Sequence, residues 1–347
     1  MEPIEQARRW YAAELHFTAK VRSSAAVDAF ATVSREQFVG PGPWRIKSPM
    51  DLAEYWTSND DSPSHVYHDV LIALDESRGI NNGQPSLWAY LFDRLDLAPG
   101  EQVLHLGCGT GYYTAIIAEL VGSAGRVTAV EIDATLAQKA RVALADWPQV
   151  RVIQADGART SFEPVDAIVA SAGATHPLAS WLDGLRPGGR LLFPMTTSRN
   201  GVGAMLLVRR RPEHGFAARF LCRAGFIDFQ GARDPTISRR LAAALRRDQG
   251  SAVKSLRRDN HTEDETCWFH GKGWCSGTNH TLGTRFGGRL ETHSGLSAPE
   301  AMPARAPLLD LSAGNSRRTI VPRRNAGFLL YGSRYGYMGS GRKTWRE

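Results

Sequence analysis

Three glycines and one carboxylate are the residues of this chain whose types and spacing predict chemistry most clearly. Gly107, Gly109 and Gly111 follow a hydrophobic run at residues 102–106, and a helical pattern comes next. Glycines at a strand-to-helix turn let the backbone approach a ligand, and the free N–H groups of the helix point to the same place. About twenty residues further on, a second apolar run ends at Glu131, where an acid can accept hydrogen bonds from ribose hydroxyls. These residues predict a site for a nucleoside cofactor.

The spacing of the glycines indicates which cofactor this is. In a dinucleotide fingerprint the third small residue would stand at position 112, but Tyr112 is there and the glycine comes one residue earlier. No Lys followed by Ser or Thr completes a phosphate-binding P-loop. The glycines could form a plain strand-to-helix turn, but the acid that ends the next strand favours S-adenosylmethionine (SAM). The expected cofactor-binding residues are His105, Gly107, Cys108, Gly109, Thr110, Gly111, Glu131, Asp156 and Gly157.

The elements that must position these residues alternate regularly. Residues 150–157 predict a third strand that ends in Asp156, which could accept a hydrogen bond from an adenine amino group, and Gly157, which leaves room for the ring. Residues 165–173 and 185–195 predict a fourth and a fifth strand. Such alternation is typical of an α/β fold with a doubly wound, mostly parallel sheet and ligands at the carboxyl ends of its strands. We expect a Rossmann-like core with an N-terminal helical region and a C-terminal appendage.

Several motifs in the same order resemble the protein-L-isoaspartate O-methyltransferase family. Residues 27–44, VDAFATVSREQFVGPGPW, and residues 165–195, which begin VDAIVASAGATHP, are similar to two stretches of that family. Residues 80–115 resemble the family segment that holds a substrate-binding turn, a helix and the SAM glycine loop. The resemblance covers roughly residues 25–210. It implies a SAM-dependent O-methyltransferase that methylates an isoaspartyl-type carboxylate of a protein or peptide, which is a protein-repair activity.

Two positions depart from the family pattern, and both fall on the expected site. The family has an acidic residue just before the glycine loop, where this chain has His105, and a serine in the substrate turn, where this chain has Gly83. A carboxylate is already ionised at neutral pH, so methyl transfer to it needs no general base, and the enzyme mainly aligns donor and acceptor. The two departures are therefore expected to affect recognition of the acceptor more than the chemistry.

The acceptor is expected at the turn formed by residues 81–85, NNGQP, which the resemblance identifies with the substrate turn. His176, just past the fourth strand, either reaches the acceptor or caps the next helix. The departures leave open a SAM-dependent methyltransferase of a small molecule or a biosynthetic peptide, and also a non-catalytic binding module with the same fold. The residues expected at the acceptor are Asn82, Gly83, Gln84 and His176.

The cysteines and histidines outside this region give no recognised metal motif. Cys267 and Cys275 lie near His261 and His270 in the sequence, but their spacing fits no standard zinc pattern. No metal site is therefore expected. Cys108 lies within the glycine loop, where its small size is a sufficient explanation.

The chain divides into four predicted segments. The C-terminal tail, residues 276–347, holds eleven Lys and Arg residues against four acidic residues, so it accounts for the whole net charge of +7. The remaining residues have no net charge, so they lack the basic surface that is typical of a nucleic-acid-binding protein. Only weak contacts between the tail and nucleic acid are therefore expected. No apolar run reaches the roughly eighteen residues that a membrane span needs, and we expect a cytoplasmic protein. The segments are a helical region with an aromatic, loop-like lid (residues 1–79, with the lid at 41–63), the SAM-binding core (80–232), an appended unit (233–275) and a basic, disordered tail (276–347).

Overall fold

A ten-stranded sheet organises the computed structural model, which describes residues 3–197, 201–213 and 215–279. A four-stranded antiparallel sheet with strand order β2-β1-β3-β4 lies in the N-terminal region. The first elements in chain order are α1 (Pro3–Thr18), α2 (Ser24–Thr32), β1 (Arg45–Ser48), β2 (Asp51–Thr57), β3 (Leu71–Asp75), β4 (Ile80–Asn81) and α3 (Pro85–Leu95), with short 3₁₀ turns at Arg35–Phe38, Pro63–Val66 and Glu76–Arg78.

The small sheet occupies part of the segment that the sequence predicts to be a loop. Residues 41–63 were expected to be irregular, but they contain β1 and β2. The prediction was wrong here because β2 has hardly any buried side chains, so its sequence lacks the alternation of apolar and polar residues that marks a half-buried strand.

One half of the large sheet, which ends at the edge strand β7, is parallel and has the predicted alternation with helices. Its strand order is β7-β6-β5-β8-β9, so the chain moves outward from β5 in one direction and then returns to the other side of β5. The carboxyl ends of β5 and β8 therefore flank a topological switch point, where open α/β sheets bind their ligands. The elements are β5 (Gln102–Leu106), α4 (Tyr112–Val121), β6 (Arg126–Glu131), α5 (Ala134–Ala143), β7 (Val150–Gln154), β8 (Val165–Ala170), α6 (Ala179–Asp183) and β9 (Leu185–Thr196).

The other half of the sheet is antiparallel and continues beyond the core predicted from sequence. Strand β9 pairs with β10, β10 with β11, and then β12, β14 and β13 extend the sheet to its edge. The predicted tail lies outside the described residues from residue 280 onward. The remaining elements are β10 (Val202–Arg210), β11 (Phe216–Gly225), α7 (Pro235–Asp248), β12 (Ser255–Arg257), β13 (Cys267–Gly271) and β14 (Trp274–Gly277).

Apolar side chains cover both faces of the sheet, as a doubly wound fold requires. On β5, Val103 belongs to the cluster packed by α1, α2, α3 and α4, while Leu104 and Leu106 belong to the cluster on the opposite face. This alternation follows from the two-residue period of a strand. It places His105 on the same face as Val103, under α4. In the described part of the chain, no helix combines the length and apolar character that crossing a membrane would demand.

Candidate active site

The glycine loop after β5 forms one wall of the site. Gly109 and Gly111 have positive φ angles of 59° and 100°, which glycine adopts without steric cost. A side chain at Gly111 would place its Cβ 2.7 Å from Cδ1 of Leu144, so this glycine allows α4 and α5 to approach each other. A Cβ added at Gly109 would have only one neighbour within 4 Å, Cδ1 of Leu74 at 3.9 Å, because that side of the loop faces open space. Gly111 thus allows the two helices to pack closely, and Gly109 leaves the loop accessible to a ligand.

Glu131 ends β6 beside this loop and is buried. Its Oε2 accepts a hydrogen bond from the N–H of Gly109 at 2.7 Å, and its Oε1 accepts one from the N–H of Asp133 at 3.0 Å. Burial raises the pKa of the Glu131 carboxyl, while these backbone donors act in the opposite direction. A carboxylate has about four acceptor positions. The carboxylate therefore keeps acceptor capacity for the hydroxyls of a ligand.

A cavity of about 920 Å³ opens between the glycine loop, the end of β6 and the turn at residues 81–85. It brings together the two groups of residues that the sequence predicts for the cofactor and for the acceptor. Thr110 Oγ1 and the hydroxyl of Tyr113 are buried in this wall, and neither has a hydrogen-bond partner within the described residues. The sequence-predicted residues that line the cavity are Asn82, Gly83, Gln84, Gly107, Cys108, Gly109, Thr110, Glu131, Asp156 and Gly157.

Three predicted site residues do not line this cavity. Gly111 has the packing function described above. His176 lies beside Trp274, with their ring centroids 6.5 Å apart, and its Nδ1 is 2.9 Å from Oγ1 of Thr175. The expectation that His176 reaches the acceptor is therefore corrected, and it does not cap α6 either, because the N-cap position of that helix is Leu178.

His105 is the third of these residues, and it supports the site from beneath. Its two ring nitrogens lie 2.8 Å from Oγ1 of Thr114 and 2.8 Å from Oγ of Ser171. Complete burial lowers the pKa of His105 to about 3, so the ring is neutral at physiological pH. A neutral imidazole has one donor and one acceptor, and both are engaged here. Ser171 lines the cavity and His105 does not, so His105 lies behind the cavity wall and supports it through this contact.

Cys108 is a structural part of the loop. Burial, followed by the nearby Glu131 carboxylate, raises the pKa of the Cys108 thiol well above its ordinary value. The thiol therefore stays protonated at neutral pH and is a poor nucleophile. Its small side chain fits the loop, as the sequence suggests.

The acceptor-side turn is held mainly by hydrogen bonds within the protein. The amide Nε2 of Gln84 donates to Oδ2 of Asp69 at 3.0 Å and to Oγ of Ser86 at 2.9 Å, which uses both of its N–H donors. Gly83 has a φ of 77°, and its N–H donates to Oδ1 of Asn81 at 2.9 Å. The turn therefore has little freedom to change shape. The amide of Gln84 is not available as a donor in this arrangement.

Arg35 is the residue that organises this turn, and sequence reasoning did not assign it a role. It begins the 3₁₀ turn Arg35–Phe38 and is fully buried. Its guanidinium donates to Oδ1 of Asn82 at 2.9 Å, to the carbonyl oxygens of Val66 and Val70 at 2.8 Å each, and to that of His68 at 3.0 Å. The available signal was its position in SREQF, inside a motif that carries the family resemblance.

Two cations among the described residues line the cavity. Lys47 lies on β1, with its Nζ 4.1 Å from the ring centroid of Tyr55, and Arg223 lies on β11. Arg223 forms no ion pair with any residue in the described ranges. Both side chains can therefore offer positive charge to an anionic group in the cavity.

Comparisons with known proteins agree with this geometry. The family model of protein-L-isoaspartate(D-aspartate) O-methyltransferase matches residues 12–230. A protein-L-isoaspartate O-methyltransferase 1 from Geotalea uraniireducens is 29% identical over 230 residues, which cover 65% of this chain and 94% of that protein. One from Rhodopseudomonas palustris is 35% identical over 193 residues, which cover 54% of this chain and 69% of that protein.

Solved structures show the same fold. A protein-L-isoaspartate O-methyltransferase has a TM-score of 0.52 at 23% identity and covers 71% of this chain and 72% of its own. A putative member from Plasmodium falciparum, in complex with S-adenosyl-L-homocysteine, has a TM-score of 0.51 at 16% identity and covers 64% of this chain and 98% of its own. The predicted Rossmann-like fold, SAM as cofactor and the methyltransferase class are confirmed. Since the family model matches more than half of its residues, this chain belongs to the protein-L-isoaspartate(D-aspartate) O-methyltransferase family.

Proposed function

We propose that this chain uses the cavity to transfer the methyl group of SAM to the free carboxylate of an isoaspartyl-type residue in a protein or peptide. The observation that carries the proposal is that the glycine loop and the turn at residues 81–85 line one continuous cavity. Donor and acceptor can therefore meet within one cavity. The unpaired state of the cysteines in the described residues suits the reducing cytoplasm, which we propose as the compartment.

The residues on the sheet side fit SAM. Glu131 would accept hydrogen bonds from the ribose hydroxyls, and Asp156 would accept one from the adenine amino group. Oδ1 of Asp156 already accepts a hydrogen bond from the N–H of Ala158 at 2.9 Å, which fixes the carboxylate in place. Buried polar atoms almost always have partners, so the unpartnered Oγ1 of Thr110 is a further candidate contact. Bound SAM would supply an electrophilic methyl group on a sulfonium centre.

The residues on the other side fit a carboxylate acceptor. An ionised carboxylate is already a nucleophile, so the protein needs to orient it and to balance its charge. Arg35 fixes the backbone of the turn through Asn82, and Lys47 and Arg223 provide the positive charge. Gly83 offers no hydroxyl to the acceptor, so the turn would recognise it through backbone groups and the Nδ2 of Asn82.

A labelling experiment with matched peptides tests this function. The chain is incubated with methyl-labelled SAM and either an isoaspartyl peptide or the same peptide with ordinary aspartate. We expect label only on the isoaspartyl peptide, and we expect mild base to release it because carboxyl methyl esters hydrolyse readily. Label that resists base would refute the carboxylate acceptor and favour the methylation of a small molecule or a biosynthetic peptide. Absence of any transfer to either peptide would refute the isoaspartyl acceptor.

A pair of variants on β11 tests the charge argument. Arg223 lines the cavity, whereas Arg219 lies on the same strand outside it. Arg223→Gln is expected to raise the KM for the isoaspartyl peptide several-fold while leaving the affinity for S-adenosylhomocysteine unchanged. Arg219→Gln, the control, is expected to change neither. Equal KM values for the two variants would show that Arg223 does not contact the acceptor.

A further inference from the structure

Two histidines and two cysteines converge near the edge of the large sheet, outside the cavity. His261, Cys267, His270 and Cys275 each offer one ligand atom, and these four atoms all lie within 4.8 Å of one another. None of the four side chains lines the cavity described above. The sequence expectation of no metal-ligand set rested on their spacing along the chain. The fold corrects it by bringing all four together.

A β-bulge explains how the convergence arises. Strands β13 and β14 form a hairpin in which His270 stands directly opposite Cys275. Cys267 is three residues before His270, and in a regular strand it would point to the other face. The register shifts between Cys267 and Phe269, so β13 contains one extra residue there. Because of this extra residue, the side chains before the bulge point to the opposite face of the sheet from the one expected, and Cys267 lies on the same face as His270.

The surroundings of the two histidines are those of metal ligands. Nε2 of His261 lies 3.4 Å from Sγ of Cys267. Its other ring nitrogen, Nδ1, lies 3.1 Å from the carbonyl oxygen of Asp259 and 3.4 Å from its carboxylate. Metal-bound histidines almost always use their second nitrogen in this way. In His270, Nδ1 is buried and has no hydrogen-bond partner in the described residues, which points to a ligand at this ring.

We propose that these four side chains bind one Zn²⁺ ion in a structural site. Two thiolates and two imidazoles form a ligand set that prefers zinc, and the two thiolates balance its charge. Bond lengths of about 2.0–2.3 Å would place ligand atoms about 3.3–3.8 Å apart in a tetrahedron. The spread of 4.8 Å therefore requires a contraction of only about 1 Å. Four protein ligands leave no position for a substrate, so the ion stabilises the fold and takes no part in catalysis.

The site would attach an otherwise weakly held loop to the sheet. The segment between β12 and β13 contains His261, and its neighbours at residues 262–265 are exposed. With few buried apolar contacts, such a segment opens easily. A zinc ion bound to His261 on this loop and to three ligands on the hairpin would hold the loop against the sheet. The site is independent of methyl transfer, so it stands whether or not the proposed acceptor is correct.

Metal analysis of the intact chain tests the proposal. The full-length protein, produced without a histidine tag and purified without chelator, is expected to contain one zinc ion per chain. Cys267→Ser and His270→Ala are expected to lose this zinc. Cys222→Ser, a cysteine on β11 outside the cluster, is the matched control and should retain it. Cobalt added after chelation should give the visible absorption of a tetrahedral thiolate site.

The outcomes separate this site from its alternatives. Extraction of the metal should lower the melting temperature, and added Zn²⁺ should restore it. A chain that binds no zinc when reduced and supplied with Zn²⁺ would overturn the proposal, as would a stable Cys267–Cys275 disulfide found by mass spectrometry. Zinc that persists in Cys267→Ser would place the ion elsewhere in the chain. If a variant fails to fold, the metal content and cobalt spectrum of the unsubstituted chain still decide.

Discussion

Arg35 donates a hydrogen bond from Nε to Oδ1 of Asn82 at 2.9 Å, and both side chains are buried. This contact links the segment that precedes the small sheet to the turn that lines the acceptor side of the cavity. The remaining guanidinium donors go to backbone carbonyls, and the Arg35 Cζ lies 5.6 Å from the ring centroid of Tyr112. A single side chain thus holds the shape of the turn without touching the cavity itself.

Replacement of Arg35 by lysine should disturb the acceptor turn. Lysine keeps the charge but cannot supply the fork of donors, so several buried carbonyls would lose their partners at about 1–3 kcal/mol each. We expect a lower free energy of unfolding and a higher KM for the isoaspartyl peptide, with nearly unchanged affinity for S-adenosylhomocysteine. Arg22→Lys, at an exposed side chain that pairs with the buried carboxylate of Asp93, is the control. Urea denaturation and steady-state kinetics measure both effects, and an unchanged KM would contradict the positioning role.

Substitutions in the cofactor-binding wall of the cavity should weaken the binding of the cofactor product. Gly109→Val should abolish the binding of S-adenosylhomocysteine, because its side chain would enter the space that the loop leaves open. Glu131→Gln should weaken it by about 1–3 kcal/mol, since the amide has only one acceptor oxygen. Glu119→Gln, on the exposed side of α4, is the control. Titration calorimetry measures these affinities. Undiminished binding by Gly109→Val would show that the ligand lies elsewhere.

Restoring a serine at position 83 should harm this chain. The Cβ would lie 3.0 Å from Nε1 of Trp88 and 3.1 Å from Cε2 of Tyr113, in a backbone with a φ of 77°. Crowding adds to the cost of the left-handed conformation, which is about 1–2 kcal/mol by itself. Gly100→Ser separates the two effects, because Gly100 has a φ of 85° and no atom within 4 Å of its added Cβ. We expect a larger drop in melting temperature for Gly83→Ser, and equal drops would rule out crowding.

The buried neutral ring of His105 should make stability depend on pH. Burial lowers its pKa to about 3, from an ordinary value near 6.5, so the unfolded chain binds more protons between these values. The contribution to stability is therefore complete above about pH 6.5 and is lost as the pH falls below it, at up to about 1.4 kcal/mol per pH unit. His105→Asn should flatten the slope of unfolding free energy between pH 6.5 and 5. His16→Asn, at an exposed position on α1, should not, and identical slopes would contradict the assignment.

From the sequence we could predict those residues of the cavity wall whose placement depends on local backbone structure. The glycine loop and Glu131 were recognisable because a strand, a turn and a helix within about thirty residues define them. His105 was expected to bind the cofactor, but its side chain points toward Thr114. The sequence does not show this, because which face of β5 a helix covers depends on the tertiary structure. Arg35 was missed because it acts on a turn 47 residues later in the chain. The four residues around Cys267 were considered as a metal set and set aside on their spacing, because a bulge and a hairpin register, neither visible in that spacing, bring them together.

The family match ends at residue 230, but the large sheet continues to residue 277. Strand β12 pairs with β11 at Phe216 and Ala217, and β14 then pairs with β12, so the added strands cover the start of an edge that would otherwise present unpaired N–H and C=O groups. Exposed sheet edges promote association between molecules. The C-terminal strands thus move the free edge of the sheet from the start of β11 to β13, and they add Leu256, Trp268 and Trp274 to the apolar cluster on one face. A version of this protein trimmed to the part shared with its relatives would expose the start of β11 and the apolar residues that these side chains cover, and we expect it to aggregate more readily.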